Sequence, residues 1–351
     1  MRVCTRSKLS NLDLFKLKAK LTPKAYILEQ LQQTKRETEL GIANPEMCVT
    51  MANGQVRATH ALRDDLLAVL FPHSGVLPSE LLQSRVRVKL KALTSGIQRA
   101  LLPDDDEDPD GWESLSESGL LREAALIDFA LARIAEDQLR TNLRSNQTPS
   151  PLSQLPVTLL SHENERLAEM ARTLLHAEQK GAADDHALYH RLKSEHLHQL
   201  CWRVVAALID NHAADSRTLS ASAHVLLANH HSNLDPMAIA RKLIFFLGPE
   251  YRDLAKDPGH AGLYLFVASL GREYNLDDDF VIRLIGETHS APLSLLLRGQ
   301  EIDPDAALGI MATLQGKTAL AEMPELRDQY MSIAPVEARA TIDSWRQEPV
   351  Q

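Results

Sequence analysis

The stretch that most constrains the fold is residues 185–209, which contains no glycine and no proline. Its apolar side chains recur at steps of three and four residues, which places them on one face of a helix. Between residues 200 and 209 only Arg203 carries a charge. Because a helix that is apolar on nearly every side is usually buried among other helices, we predict one long central helix here. The residues that define its apolar face are Leu197, Leu200, Cys201, Val204 and Leu208.

The composition favours helices over sheets throughout the chain. Hydrophobic residues make up 44% of the sequence, but aromatic residues only 5%, so the core must be rich in leucine and alanine. No alternating apolar–polar run predicts a strand. Roughly a dozen amphipathic helices joined by short loops predict an all-α fold, an irregular HEAT-like helical stack that is either an α-solenoid or a multi-helix bundle. No strict sequence period supports a regular repeat family.

Capping residues predict where several helices begin. Aspartate is a good N-cap and proline fits the first helical position, so Asp235 and Asp303, each followed by proline, predict helix starts. Ser161 is predicted to cap another helix. Besides the central helix, the predicted helices cover residues 60–71, 78–102, 117–144, 162–178, 220–229, 236–247, 262–274, 277–285, 304–315 and 335–346.

The distribution of charge predicts the domain organisation. Residues 1–36 hold nine basic and two acidic side chains, a charge of +7 that leaves −16 for the rest of the chain. We predict a basic N-terminal helical segment with a linker over residues 1–55, an all-helical domain over residues 56–346 with an optional subdivision near residue 180, and a tail over residues 347–351. The basic segment is either a solvated helix or an arm for an acidic partner. We expect a chain starting at Val56 to stay folded.

Charge and cysteine usage exclude several protein classes. The net charge of −9 argues against broad affinity for nucleic acid. No run of eighteen apolar residues predicts a membrane span, and the N-terminus lacks the apolar segment of a secretory signal. Cys4, Cys48 and Cys201 are far apart and form no metal or disulfide pattern. We interpret them as free thiols of a cytoplasmic protein.

The pair His230 and Asp235, separated by four residues, is a candidate catalytic motif. Its spacing resembles the His–Asp pair of glycerolipid acyltransferases, in which the histidine is a general base toward the acceptor hydroxyl and the aspartate orients it. That family also carries a downstream Gly-rich basic motif for the phosphate, and none follows Asp235. The competing interpretation is a loop in which Asp235 caps the next helix.

An acidic run between residues 104 and 110 supplies a candidate calcium site. Its carboxylates and a following Gly–Glu spacing match the calcium loop of EF-hands, in which alternate oxygen ligands surround a glycine turn. No second such loop exists to pair with it, so a disordered acidic linker is the competing interpretation. The ligands would be Asp106, Asp108, Asp110 and Glu117.

His186 and His190 lie one helical turn apart and could share a metal ion. The sequence offers no HExxH pattern and no identifiable third ligand, so ordinary partly buried histidines are the competing interpretation. No Gly-rich phosphate loop and no GxSxG motif occur either. We therefore predict neither a cofactor nor a metal.

Several apolar packing patterns resemble a helical family of alphaproteobacteria known as domain of unknown function 2336. The resemblance covers roughly residues 60–345, outside the basic segment, and its patterns are those of helix packing. It implies an all-helical, HEAT-like stack with no agreed activity and no catalytic residues. The stretches that carry it are residues 120–122 (LLR), 132–136 (ARIAE), 197–208 (LHQLCWRVVAAL), 262–268 (GLYLFVA) and 292–298 (PLSLLLR).

The sequence therefore predicts a non-enzymatic helical scaffold whose role is interaction with a protein partner. Two alternatives stay open. One is an acyltransferase-like enzyme that uses His230 and Asp235, and the other is a calcium-responsive protein that uses residues 106–117. We expect no nucleic acid as partner. The sequence does not identify the protein partner, the pathway or the oligomeric state.

Overall fold

The fold is all-helical in the part of the chain that the structure, a computed structural model, describes. Within that part the residues form helices and the short turns between them, without any strand, so the all-α prediction is confirmed there. The described residues are 49, 52–56, 80–102, 112, 115, 123–146, 154–180, 185–210, 215–230, 235–286, 290–315 and 323–346.

The described helices are numbered here in chain order. They are α1 (Glu80–Leu101), α2 (Ala124–Asn146), α3 (Gln154–Leu159), α4 (Glu165–Lys180), a 3-10 helix (Asp185–Arg191), α5 (Ser194–Asp210), α6 (Ser216–Ala228), α7 (Pro236–Leu247), a second 3-10 helix (Gly248–Lys256), α8 (Pro258–Ala261), α9 (Leu263–Tyr274), α10 (Asp278–Ile285), α11 (Ala291–Gly299), α12 (Pro304–Gln315), α13 (Met323–Ser332) and α14 (Pro335–Trp345).

Helix α2 connects two hydrophobic core clusters. The first core cluster joins α1, the N-terminal half of α2, the first 3-10 helix, α5 and α6. The second joins the C-terminal half of α2 to α3, α4 and the helices from α7 to α14. Ile127 is buried in the first cluster and Leu139, about three turns later, in the second. Side chains near the middle of α2 therefore lie where the two clusters meet.

The central stretch forms two helices, so the prediction of one long helix over residues 185–209 is wrong. A 3-10 helix ends at Arg191, and α5 begins at Ser194. The break lets Leu188 and Leu192 pack in the first core cluster, and it turns Arg191 toward Glu136 of α2. The predicted burial of the second half is confirmed, because the apolar face of α5 is buried.

Capping explains where the predicted helices begin. Asp235 accepts hydrogen bonds from the backbone N–H groups of Met237 (3.1 Å) and Ala238 (3.2 Å), and α7 starts at Pro236 as predicted. Asp303 caps α12 in the same way. Ser161 does not cap α4; Asn164 accepts a bond from the backbone of the second helical residue instead. The sequence patterns also missed α3, the second 3-10 helix, α8, α11 and α13.

A sharp corner joins α9 to α10. Asn275 ends α9 with a φ of 49°, in the left-handed region that asparagine tolerates better than most residues. The backbone N–H of Leu276 donates to the carbonyl of Gly271 (2.9 Å), which closes the end of the helix. Asp277 then caps α10. The corner thus places residues 277–279, three consecutive aspartates, between α2, α7 and the start of α5.

A short helical stretch before α1 packs in the second core cluster. Ala52 is fully buried, and Val56 is only 1% exposed. Asn53 accepts a hydrogen bond from the indole N–H of Trp345 in α14 (2.9 Å). The domain boundary predicted between residues 55 and 56 falls inside this stretch, so a chain starting at Val56 would lose packing that the sequence patterns did not reveal.

Candidate functional site

Glu136 of α2 is the centre of a buried polar cluster where the two core clusters meet. Its two oxygens accept hydrogen bonds from Arg191 at 2.9 and 2.7 Å, and a second cation, Arg133, lies 2.7 Å away. The Tyr264 hydroxyl donates a further bond of 2.6 Å. Burial raises the pKa of the Glu136 carboxyl, while Arg133 and the bond from Tyr264 oppose the rise.

The charges of this cluster balance. Arg140 donates hydrogen bonds to the Tyr264 oxygen (3.3 Å) and to a backbone carbonyl of α4. Arg191 also forms an ion pair with Asp235 (3.3 Å), and Arg133 forms one with Asp279. Three guanidinium groups thus share the site with three carboxylates, so buried charge is compensated. We call this set the junction cluster: Arg133, Glu136, Arg140, Arg191, Asp235, Tyr264 and Asp279.

The structure gives Asp235 a structural role in α7. Its two oxygens accept hydrogen bonds from backbone N–H groups of α7. The Arg191 guanidinium forms an ion pair with the same carboxylate. The described residues show no hydrogen bond between Asp235 and His230. His230 instead places its Nδ1 3.4 Å from the Ser194 hydroxyl, and its ring stacks on that of His190 with 6.4 Å between centroids. The geometry favours the capping interpretation of this motif.

The three aspartates at the α9–α10 corner each pair with a different element. Asp277 accepts from Lys193, just before α5, at 2.9 Å. Asp278 pairs with Arg241 of α7, and Asp279 with Arg133 of α2. Consecutive like charges repel one another, so each position depends on its own cation. The corner therefore ties elements of both core clusters together.

A groove of about 530 Å³ opens on one side of this corner, between α2, the start of α5 and α10. Charged side chains line it, and several of them form ion pairs. Arg283 donates to Asp128 at 2.6 Å, Lys193 is bonded to Asp277, and Asp279 to Arg133. The groove is thus crosslinked by ion pairs between helices.

The Asp278 carboxyl should make stability depend on pH. Burial raises its pKa from 3.8 to about 6, although Arg241 opposes the rise. The folded protein thus binds this proton more tightly than the unfolded chain does. The free energy of unfolding should therefore fall as pH rises from about 4 to about 6, by up to about 3 kcal/mol from this group.

The variant Asp278→Asn removes this titration while changing little else in shape. We expect the difference in unfolding free energy, wild type minus variant, to decrease between pH 4 and pH 7. Urea unfolding followed by circular dichroism at several pH values measures this difference. A difference that stays constant across that range would show that Asp278 titrates equally in the folded and unfolded chains.

An exposed aromatic pair lies on the outer face of α7. Phe245 is 69% exposed and Phe246 39% exposed, and their rings meet edge to face with 5.7 Å between centroids. Arg166 of α4 lies 4.7 Å from the Phe246 ring, and Arg272 of α9 lies 5.8 Å from the Phe245 ring. We call these four residues the α7 ridge. Cations placed over ring faces stabilise this arrangement before anything binds to it.

Sequence reasoning missed the α7 ridge, although a signal for it exists. Helix α7 was predicted with its observed ends, and its buried residues follow helical spacing. Arg241 and Phe245 are four residues apart, so both face away from that buried stripe. A helical projection of residues 236–247 would have placed two phenylalanines on the solvent side. The flanking Arg166 and Arg272 come from other helices and could not be anticipated.

The predicted calcium ligands, Asp106, Asp108, Asp110 and Glu117, lie outside the described residues. The same holds for the side chain of His186. Within the described ranges, no three His, Cys, Asp or Glu side chains come together in a way that could hold a metal ion.

Cys201 is a free, buried thiol in the first core cluster. Burial raises its pKa to about 11, so the unreactive thiol form dominates at neutral pH. Its role is therefore packing.

Comparison of the chain with protein-family models, with curated proteins and with solved structures finds no match. Among the described helices, none is both long enough and apolar enough to cross a membrane.

Proposed function

We propose that this protein is a non-enzymatic helical scaffold that binds another protein through the α7 ridge. The observation that carries the proposal is the exposed pair Phe245 and Phe246, held between two arginines. Full burial of a phenylalanine side chain contributes about 1.5–3 kcal/mol of favourable free energy. Phe245 gains only a small part of it on folding, because the residue stays 69% exposed. A binding partner would supply the missing burial.

The composition of the α7 ridge matches that of protein interfaces. Phenylalanine and arginine are enriched in the centres of such interfaces, and aromatic residues that are already held in place lose little conformational freedom on binding. Exposed apolar side chains also occur alone elsewhere, such as Val225 and Val336, but single exposed residues are ordinary. The ridge differs because two large rings and two cations are contiguous.

Other features support a scaffold over an enzyme. Ion pairs crosslink the helices around the groove beside the α9–α10 corner, and Asp235 caps α7. The resemblance to domain of unknown function 2336 implies a helical stack without agreed catalytic residues, and membership of that family is part of this proposal. So is a cytoplasmic location, which rests on the separated cysteines and on the buried free thiol of Cys201.

The test compares partners captured by the wild-type chain and by a ridge variant, Phe245→Asp with Phe246→Asp. The matched control is Val336→Asp on α14, which changes a residue that is 80% exposed on another helix. We expect a protein from extract of the native host to be retained by the wild type and by the control but lost from the ridge variant. Quantitative mass spectrometry measures retention, and circular dichroism verifies that all three chains are folded.

The captured protein is then purified and its affinity measured by calorimetry. Interface hot spots contribute about 2 kcal/mol or more, so the ridge variant should bind at least about 30-fold more weakly. Equal binding of the wild type and the ridge variant would rule out the α7 ridge as the interface. Capture of no protein at all would contradict the scaffold function.

A further inference from the structure

Two apolar side chains of α1 form an exposed line along the outer side of that helix. Leu81 is 71% exposed and Val88 58% exposed, whereas Val86 and Leu90 of the same helix are buried in the first core cluster. Seven residues make nearly two helical turns, so Leu81 and Val88 project within about 20° of each other and lie about 10 Å apart along the axis. Folding therefore leaves two aligned apolar side chains in solvent.

Basic side chains flank this apolar line on both sides. Positions 85, 87, 89 and 91 are all basic. At about 100° of rotation per residue, Arg85 and Lys89 project to one side of the line, and Arg87 and Lys91 project to the other. Lys89 is already paired with Asp137 of α2 at 3.0 Å. Arg85 and Arg87 form no ion pair with any residue that the structure describes, so their charges are available to a binding partner.

This part of α1 is basic on a chain whose net charge is −9. When Glu80 of the same helix and Asp137 are counted against the four basic side chains, a net charge of +2 remains within the described residues. Glu80 lies at the first position of the helix, where a carboxylate is favourable, and is seven residues from Arg87. We call Leu81, Arg85, Arg87 and Val88 the α1 face.

We propose that the α1 face docks the protein on an anionic lipid surface. Leu81 and Val88 enter the boundary between the headgroups and the acyl chains, and Arg85 and Arg87 bind lipid phosphates on either side of them. The helix then lies in the plane of the surface, while its buried side stays packed in the first core cluster. This inference goes beyond the scaffold function, because it gives the scaffold a second, lipid-binding surface on a helix other than α7.

The shape of the α1 face favours a lipid surface over an acidic protein segment. Its side chains stand on the convex outer side of one helix, which suits a broad, flat surface. Peptide segments bind instead in grooves or at sheet edges. The acidity of the rest of the chain does not prevent docking, because charges more than about 8 Å from the lipid are largely screened at physiological salt.

The experiment measures sedimentation of the purified full chain with vesicles of phosphatidylglycerol and phosphatidylcholine in equal parts. We expect binding that weakens with added salt and is far weaker on vesicles of phosphatidylcholine alone. The variant Arg85→Gln with Arg87→Gln should reduce the partition coefficient at least about tenfold, since each basic side chain at an anionic surface contributes several-fold. Leu81→Asp with Val88→Asp should abolish sedimentation.

The matched control is Arg172→Gln with Arg327→Gln, which makes the same change in net charge at exposed positions of α4 and α13. It should bind vesicles like the wild type, and so should the α7 ridge variant, Phe245→Asp with Phe246→Asp. Circular dichroism verifies that each chain is folded. If the aspartate variant of α1 does not fold, the double glutamine variant decides, because it removes no buried apolar side chain.

Three outcomes would overturn the inference. The first is a wild type that does not sediment with the mixed vesicles at low salt. The second is equal sedimentation of the wild type and both α1 variants, which would assign lipid binding to another segment, such as the basic residues 1–36. The third is a captured protein that is lost from the α1 variants while no vesicles bind, which would assign the α1 face to a protein partner. None of these results bears on capture through the α7 ridge, so the proposed function is tested separately.

Discussion

Replacement of Glu136 by alanine should lower the free energy of unfolding by about 3–5 kcal/mol, the largest effect that we expect from one substitution. The carboxylate is almost fully buried and interacts with Arg133, Arg191 and the Tyr264 hydroxyl. Without it, two guanidinium groups remain in the interior with too little negative charge around them. Removing one member of a buried ion pair costs far more than removing a surface charge, because the remaining partner stays desolvated.

Urea unfolding followed by circular dichroism measures this loss, with Asp137→Asn as the control. Asp137 is the next residue of α2, but its side chain is 46% exposed and pairs with Lys89 at 3.0 Å. A surface pair contributes roughly 0–1 kcal/mol, so the control should unfold close to the wild type. If Glu136→Ala does not fold at all, Glu136→Gln, which keeps the shape and loses the charge, should still fold with reduced stability. Similar stabilities of the Glu136 variants and the control would show that the junction cluster does not hold the helices together.

A chain that begins at Val56 should be less stable than the full chain by about 2–4 kcal/mol. The truncation deletes Ala52 from the second core cluster and removes the acceptor that Asn53 provides to Trp345. It also creates a charged amino group at a residue that is only 1% exposed. An amino group there must either lose its charge or pull residue 56 out of the core, and both outcomes cost stability.

Thermal unfolding of the truncated and full chains measures the difference. The matched control begins at Pro45, so that it keeps residues 49–56 while still lacking the basic segment. We expect the control to unfold near the full chain and the Val56 chain to unfold clearly earlier. If both truncated chains unfold within a few degrees of the full one, the boundary at residue 55 predicted from charge is adequate.

The helix ends illustrate what local sequence information can predict. Helices α7 and α12 begin and end where the patterns placed them, because Asp235 and Asp303 cap them through their own backbone neighbours. Such bonds span two or three residues and depend little on the rest of the fold. The cap of α4 was assigned to the wrong residue, since Ser161 and Asn164 are both acceptable caps and only the path of the chain selects between them.

The contacts that build the candidate sites join residues that are far apart in the sequence. The charged residues Arg133, Glu136 and Arg140 recur at helical spacing on α2, which in retrospect is a signal that one face of this helix meets polar partners. The sequence patterns could not identify those partners, because Arg191 is 55 residues from Glu136 and Asp279 is 146 residues from Arg133. The α7 ridge is similar, since its two arginines come from α4 and α9.

The sequence by itself determined the helical class, the positions of many helices and the burial of the apolar face of residues 194–210. The physical reason is that apolar periodicity, caps and backbone hydrogen bonds act over at most a few residues. The tertiary structure decided that the central stretch breaks after Arg191 and that residues 52–56 pack in the core. It also decided that Phe245 stays exposed to solvent beside Arg272. These features follow from which helices meet, because an ion pair or a buried face has no local signature until its distant partner is in place.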